Sequence, residues 1–158
     1  MLDVRPLSVH ELMEELPDET HDEIARLSAE GDSLAEHEQY AEAIRLYWEA
    51  FDLLPAPPER WGAATWLLAA IGDANYLGGD YEAGRDNLSV AMRCPDAIGN
   101  PFIHLRLGQC QFELGNLTRA ADELARAYMG AGPEVFNAED GKYFAFLKTR
   151  LKAPPTGW

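Results

Sequence analysis

Four histidines, two cysteines and a dense set of carboxylates are the side chains of this 158-residue chain that are able to do chemistry. A zinc-hydrolase helix needs two histidines four apart on one face with a glutamate between them. His10, His21, His37 and His104 fall at no metal-ligand spacing, and His10-Glu11 and His37-Glu38 each lack the second histidine. Cys94 and Cys110 are too few for a disulfide framework or a metal knuckle. No serine sits in a strand-to-helix elbow, and Gly78-Gly79 reads as a turn between helices, not a phosphate cradle. Cys110 falls on a helix in a half-buried position, where a thiol is an inert packing group. The residues therefore predict no catalytic site, no metal and no cofactor.

Charge narrows the function classes further. The chain has 27 acidic and 13 basic residues, a formal net charge of -14. Phosphates demand a basic surface, so nucleic acid is not an expected partner. No apolar run approaches the ~20 residues needed to cross a bilayer. The start at Met1 lacks a basic region followed by an apolar stretch, so no signal peptide is expected and the setting is cytoplasmic and reducing. The acidity is uneven: residues 1–60 hold 16 acids and 4 bases, residues 61–158 hold 11 and 9. Such a field is either a solvated face or a docking surface that speeds encounter with basic partners and repels acidic ones.

The elements that position these side chains follow from an internal repeat. One segment carries Ile24, Leu27, Gly31, Leu34, Tyr40, Ala43, Tyr47, Ala50 and Pro55. A second carries Thr65, Leu68, Ile71, Gly72, Gly79-Asp80-Tyr81, Gly84, Leu88 and Ala91, and a third Pro101, Leu107, Gly108, Gly115-Asn116-Leu117, Ala120, Leu124 and Ala127. Gly31, Gly72 and Gly108 sit mid-helix, where glycine costs ~1 kcal/mol against alanine. That cost makes sense if a second helix packs backbone-close there, with Ala43, Gly84 and Ala120 on the opposing side. Ser8-x-x-Glu11 and Thr20-x-x-Glu23 read as capping boxes, and Pro58 as the first residue of a helix. The pattern predicts helices at about 9–16, 21–37, 40–54, 58–77, 81–94, 101–114, 117–130 and 139–151, and no strand. On this reading the helix at 58–77 is two turns longer than its counterparts and absorbs a seven-residue insertion in the period. Asn137 is the expected N-cap of the last helix.

This pattern resembles the tetratricopeptide repeat (TPR) family over about 24–133. Glu30, Asn75, Gln111 and Asp96 depart from its signature, while each repeat keeps most of it. The resemblance implies an all-α single domain over 1–158: three helical hairpins in a right-handed superhelix, at 24–57, 65–98 and 101–134. A short N-terminal helix lies within a 1–20 extension, a capping helix covers 137–152, and 153–158 is a flexible tail. The implied register turns Asp32 and Glu36, then Trp66, Asp73 and Tyr76, then Phe102, Leu105, Arg106, Gln109, Phe112 and Glu113 toward a concave groove. One end of that groove is acidic and the other aromatic. Trp, Tyr, Phe and Arg dominate binding hot spots, so these residues are the expected partner-binding set, unless the C-terminal helix folds into the groove and covers the aromatics. The clamp by which TPR co-chaperones hold acidic chaperone tails is absent. At its positions stand Ser28, Asp32, Ala70, Asp73, Phe102 and Arg106, of which only Arg106 suits a carboxylate.

A narrower resemblance lies outside the repeat signature. The run Ile98-Gly-Asn-Pro-Phe-Ile-His-Leu-Arg-Leu-Gly-Gln-Cys110, the run from Ala121 to Gly132 and the run from Glu139 to Lys148 look like bacterial TPR proteins encoded beside polymorphic toxins. That resemblance, over roughly 58–150, implies an immunity protein that binds and occludes a basic toxin domain without chemistry. The alternative is a class II type III secretion chaperone, also small and acidic, holding a translocator peptide in the groove. Oligomeric state stays open, since Trp61 and Trp66 suit either a dimer contact or inward packing.

Overall fold

The computed structural model describes residues 16–158 and builds them from seven α-helices without a strand. The expected helix at 9–16 and the Ser8-x-x-Glu11 capping box therefore lie outside the described residues, apart from Leu16. Helix α1 spans Asp18–Glu36, α2 Tyr40–Phe51, α3 Gly62–Leu77, α4 Tyr81–Ala91, α5 Pro101–Glu113, α6 Leu117–Ala131 and α7 Gly141–Lys148. Helices α1 and α2, α3 and α4, and α5 and α6 pair as hairpins; each hairpin stacks on the next, and α3 also meets α5.

Local chemistry sets the boundaries. The side chain of Asn100 accepts from the backbone N–H groups of Phe102 and Ile103, and Pro101 takes the first helical position of α5. Gly79 and Gly115 take φ values of 85° and 80° after the first helices of the second and third hairpins. The same left-handed step falls on Glu38 (φ 60°) in the first hairpin, a site that ordinarily favours glycine. In all three, the next residue returns its N–H to a carbonyl five residues back: Gln39 to Leu34, Asp80 to Asn75, Asn116 to Gln111.

Several expected starts move. Thr20 lies inside the first turn of α1, whose cap position is Pro17, so it heads no capping box. Pro58 opens only a 3-10 turn, Pro58–Arg60, and α3 begins after the extended residue Trp61. The seven-residue insertion is therefore a loop, not two extra helical turns. Trp61 pins that loop: it is buried, and its indole N–H donates to Pro55 O at 2.7 Å. The last helix is capped by Asp140, whose carboxylate accepts from Lys142 N, instead of by Asn137.

The core has two parts. The larger runs through the first two hairpins into α5, with Leu68, Ile71, Leu88 and Ile103 almost fully buried. The smaller joins α5, α6 and the capping helix through Leu105, Leu124, Ala127, Phe136, Tyr143 and Leu147. Each fully buried aliphatic side chain contributes roughly 1.5–3 kcal/mol. The close approach within each hairpin is real, and the side chain that fills it stands one turn beyond Ala43, Gly84 and Ala120. A Cβ on Gly31, Gly72 or Gly108 would strike Tyr47, Leu88 or Leu124. Gly84 does lie against Gly72, whose carbonyl oxygen is 3.5 Å from where the Gly84 Cβ would stand, and it also faces Cys110 of the next hairpin at 2.8 Å. Cys110 is wholly buried, deeper than expected, and burial pushes its thiol up to about 12, which keeps it protonated and inert.

The concave groove as candidate functional site

Helices α1, α3 and α5 supply the groove, and its two halves are finished differently. In the half formed by α1 and α3, a pocket of about 250 Å³ opens between Ile24, Ala25, Ser28 and Asp32 on one wall and Ala63, Trp66, Leu67 and Ala70 on the other. Trp66 is 61% exposed, so of the two tryptophans Trp61 packs inward and Trp66 faces out. Tyr47 reaches through from α2, and its hydroxyl donates to Asp32 Oδ1 at 2.6 Å. Burial and that carboxylate together hold the Tyr47 phenol in its neutral form, far above its usual pKa. A shallower depression continues from Asp32 to Ala35, Glu36, Asp73 and Leu77.

The other half is occupied by the chain itself. Arg106 is buried on α5, and its Nε donates to Asp73 Oδ1 at 2.7 Å. Its Nη1 donates to Gln109 Oε1 at 2.8 Å and to Glu139 of the loop before α7. Gln109, also buried, donates to the same Glu139 oxygen at 2.7 Å. The guanidinium lies over the Tyr76 and Phe102 rings at 4.8 and 5.2 Å. Burial works against this charge, yet the two carboxylates outweigh it and raise the pKa of Arg106 above its ordinary value. Tyr143 of α7 then receives a hydrogen bond from Tyr76 at 2.9 Å and donates one to Glu113 at 2.7 Å. Phe112 packs edge-on against Tyr143 and Phe146.

The expected groove set is thus divided. Asp32, Glu36 and Trp66 face open space, and Phe102 is 41% exposed at the boundary. Asp73, Tyr76, Leu105, Arg106, Gln109, Phe112 and Glu113 are tied to one another or to the segment 139–147. The capping helix both covers α6 and reaches onto the concave side. The tail at 153–158 turns back so that Trp158 meets the Tyr128 and Phe144 rings at 5.7 and 5.8 Å.

Glu113 makes this closure sensitive to acid. Burial opposes its charge, but the Lys142 ammonium at 2.6 Å and the Tyr143 hydroxyl hold its carboxyl below the usual glutamate range. A carboxyl lowered on folding stabilises fully above its unfolded pKa, and that contribution is lost as pH falls through the folded value. Glu113→Gln is expected to cost about 1 kcal/mol at pH 7, and the melting difference from the parent chain should close as pH falls through the lowered value of the folded carboxyl.

Leu16, Leu67, Glu139 and Tyr143 were not among the expected groove residues. Glu139 had a sequence signal: Arg106 lies between Leu105 and Leu107 on a core helix, and a buried guanidinium requires carboxylate partners. Among the described residues, no three His, Cys, Asp or Glu side chains gather as a metal site, and no helix is long and apolar enough to cross a membrane. Buried His104 is engaged instead by Glu123 and by the backbone N–H of Gly99.

No protein-family model and no curated protein sequence matches this chain. Solved structures do. The Yersinia enterocolitica type III secretion chaperone SycD, in complex with a peptide of the translocator YopD, aligns with a TM-score of 0.66 at 15% identity, over 84% of this chain and 95% of that one. The C-terminal TPR-containing domain of a Plasmodium falciparum FK506-binding protein gives 0.64 at 16% identity, over 90% of each chain. The Sgt2 TPR domain from Aspergillus fumigatus gives 0.61 at 20% identity, over 96% of this chain and 91% of that one. At such identities the likeness speaks for architecture alone: the chain has the TPR fold, an all-α helical-repeat superhelix.

Proposed function

We propose that this chain is a non-catalytic immunity-type protein that takes up a basic domain of a bacterial toxin and occludes it. The observation that carries the reading is the unequal finish of the groove. Its α5–α7 half is satisfied internally, whereas its α1–α3 half leaves an apolar pocket beside carboxylates, with no Lys or Arg lining it among the described residues. Helix α1 adds to the field, with seven acids against the single base Arg26. Toxin domains that act on nucleic acid or nucleotides present basic clefts, and plugging one requires steric fit and steering, no reaction. The likeness of 58–150 to immunity proteins points the same way. Two buried free thiols suit a reducing cytoplasm.

A second reading has its own support in the fold shared with SycD, which was solved with a translocator peptide. There the chain is a secretion chaperone that holds an extended segment. The two are separated by capturing the tagged chain from its native cells at low and high salt and identifying what it brings down. The immunity reading expects one near-stoichiometric basic protein whose own activity falls to background with an equivalent of the chain. A secretion substrate with no activity to inhibit supports the chaperone; a basic partner that stays fully active overturns occlusion.

A further inference from the structure

The groove reading leaves open what the exposed half recognises, and the following rests on it. We infer that the α1–α3 half is a site for an extended protein segment carrying one bulky apolar side chain with a lysine or arginine close beside it. The pocket holds about 250 Å³. A dry cavity of roughly 150 Å³ already admits benzene, so there is room for a Leu, Met or Phe side chain. Leu16, Ile24, Ala63, Leu67 and Ala70 give such a side chain an apolar lining, and the largely exposed Trp66 lines the pocket as well.

Charge identifies the neighbour. Asp32 lines both this pocket and the adjoining depression, where it is joined by Glu36 and Asp73. Asp73 already has Arg106. Among the described residues, Asp32 accepts only the Tyr47 hydroxyl and Glu36 has no cationic partner. Asp32 and Glu36 are one helical turn apart, about 6 Å, a span that two residues of extended chain cover at ~3.3 Å each. An apolar anchor in the pocket therefore sets a basic residue roughly one to three positions away against one or both carboxylates. An acidic segment is repelled here, and a purely apolar one leaves the carboxylates unused.

Random short peptides displayed on phage and panned against the full chain test the site. The expected consensus pairs a large apolar residue with Lys or Arg within three positions. Synthetic copies should bind Trp66→Ala at least about tenfold more weakly. Asp32→Asn with Glu36→Gln should weaken them about tenfold at low salt and little at high salt. All three positions are exposed, and asparagine keeps the acceptor for Tyr47, so the variants should melt like the parent. Acidic or uncharged selected peptides, no enrichment, or unchanged binding to the charge variants overturns the inference. Self-association that Trp66→Ala abolishes also overturns it, by giving the groove to a second copy, whose residues 141–158 carry four bases and no acid. A captured basic partner that is neutralised while no such peptide is enriched leaves the immunity reading standing and removes this one alone.

Discussion

Arg106→Met is expected to cost about 3–5 kcal/mol at pH 7, because it leaves Asp73 and Glu139 packed together without the cation between them. For a chain of this length that lowers the melting temperature by about 6–20 °C. The loss reaches beyond one ion pair: Gln109 forfeits a donor, and the Tyr76 and Phe102 rings forfeit the guanidinium above them. Glu139→Gln in the Arg106→Met background should recover part of the deficit, and the cycle should give a coupling of about 1–3 kcal/mol. Additive single costs would show that Glu139 merely lies beside Arg106 and does not anchor the loop.

Gly72→Ala is expected to destabilise by about 2 kcal/mol, although alanine in an exposed helix would gain ~1 kcal/mol. The new Cβ would stand 2.4 Å from Leu88 Cγ and 2.5 Å from its Cδ2. Leu88 is completely buried, so its branch point has nowhere to retreat, and overpacking of this kind costs roughly 1–3 kcal/mol or more. Thermal denaturation should show a fall of about 4–8 °C. Gly141→Ala is the matched control: nothing lies within 4 Å of a Cβ there, so its melting temperature should hold or rise slightly. Equal effects at the two sites would mean that Gly72 serves chain conformation and not packing.

The hairpins were legible because their cause is local and repeated. Gly31, Gly72 and Gly108 recur at one level of each first helix, and Gly79 and Gly115 recur at each turn. What escaped notice was set by contacts distant in sequence. The stretch after Leu54 is rich in proline, yet its course depends on the Trp61 indole finding the Pro55 carbonyl, which no periodicity reports. Glu139 meets Arg106 from 33 residues away. The register therefore indicated which side chains turn toward the groove, but not which of them the chain would consume itself. Asp32, Glu36 and Trp66 remain open because nothing from the C-terminal segment 139–147 is seen to reach α1. The small residues Ala43, Gly84 and Ala120 mark the close approach, but the side chain that covers each glycine leans back from a residue one turn nearer the end of its helix.

In a stack of repeats, stability ordinarily passes from neighbour to neighbour, so any hairpin is able to fray at an end. The contacts of Glu139 and Tyr143 break that pattern. Glu139 is tied through Arg106 to Asp73, and Tyr143 bonds directly to Tyr76, so the segment after the last hairpin is fastened to α3 as well as α5. Amide hydrogen exchange in the native state should accordingly divide the molecule unequally. Helices α3 to α7 would open together as one cooperative unit, while α1 and α2, outside that brace, would exchange first. The hairpin left free to open is the one that forms a wall of the pocket beside Trp66, so a partner seated there would appear as slowed exchange in α1 and α2 before any change elsewhere.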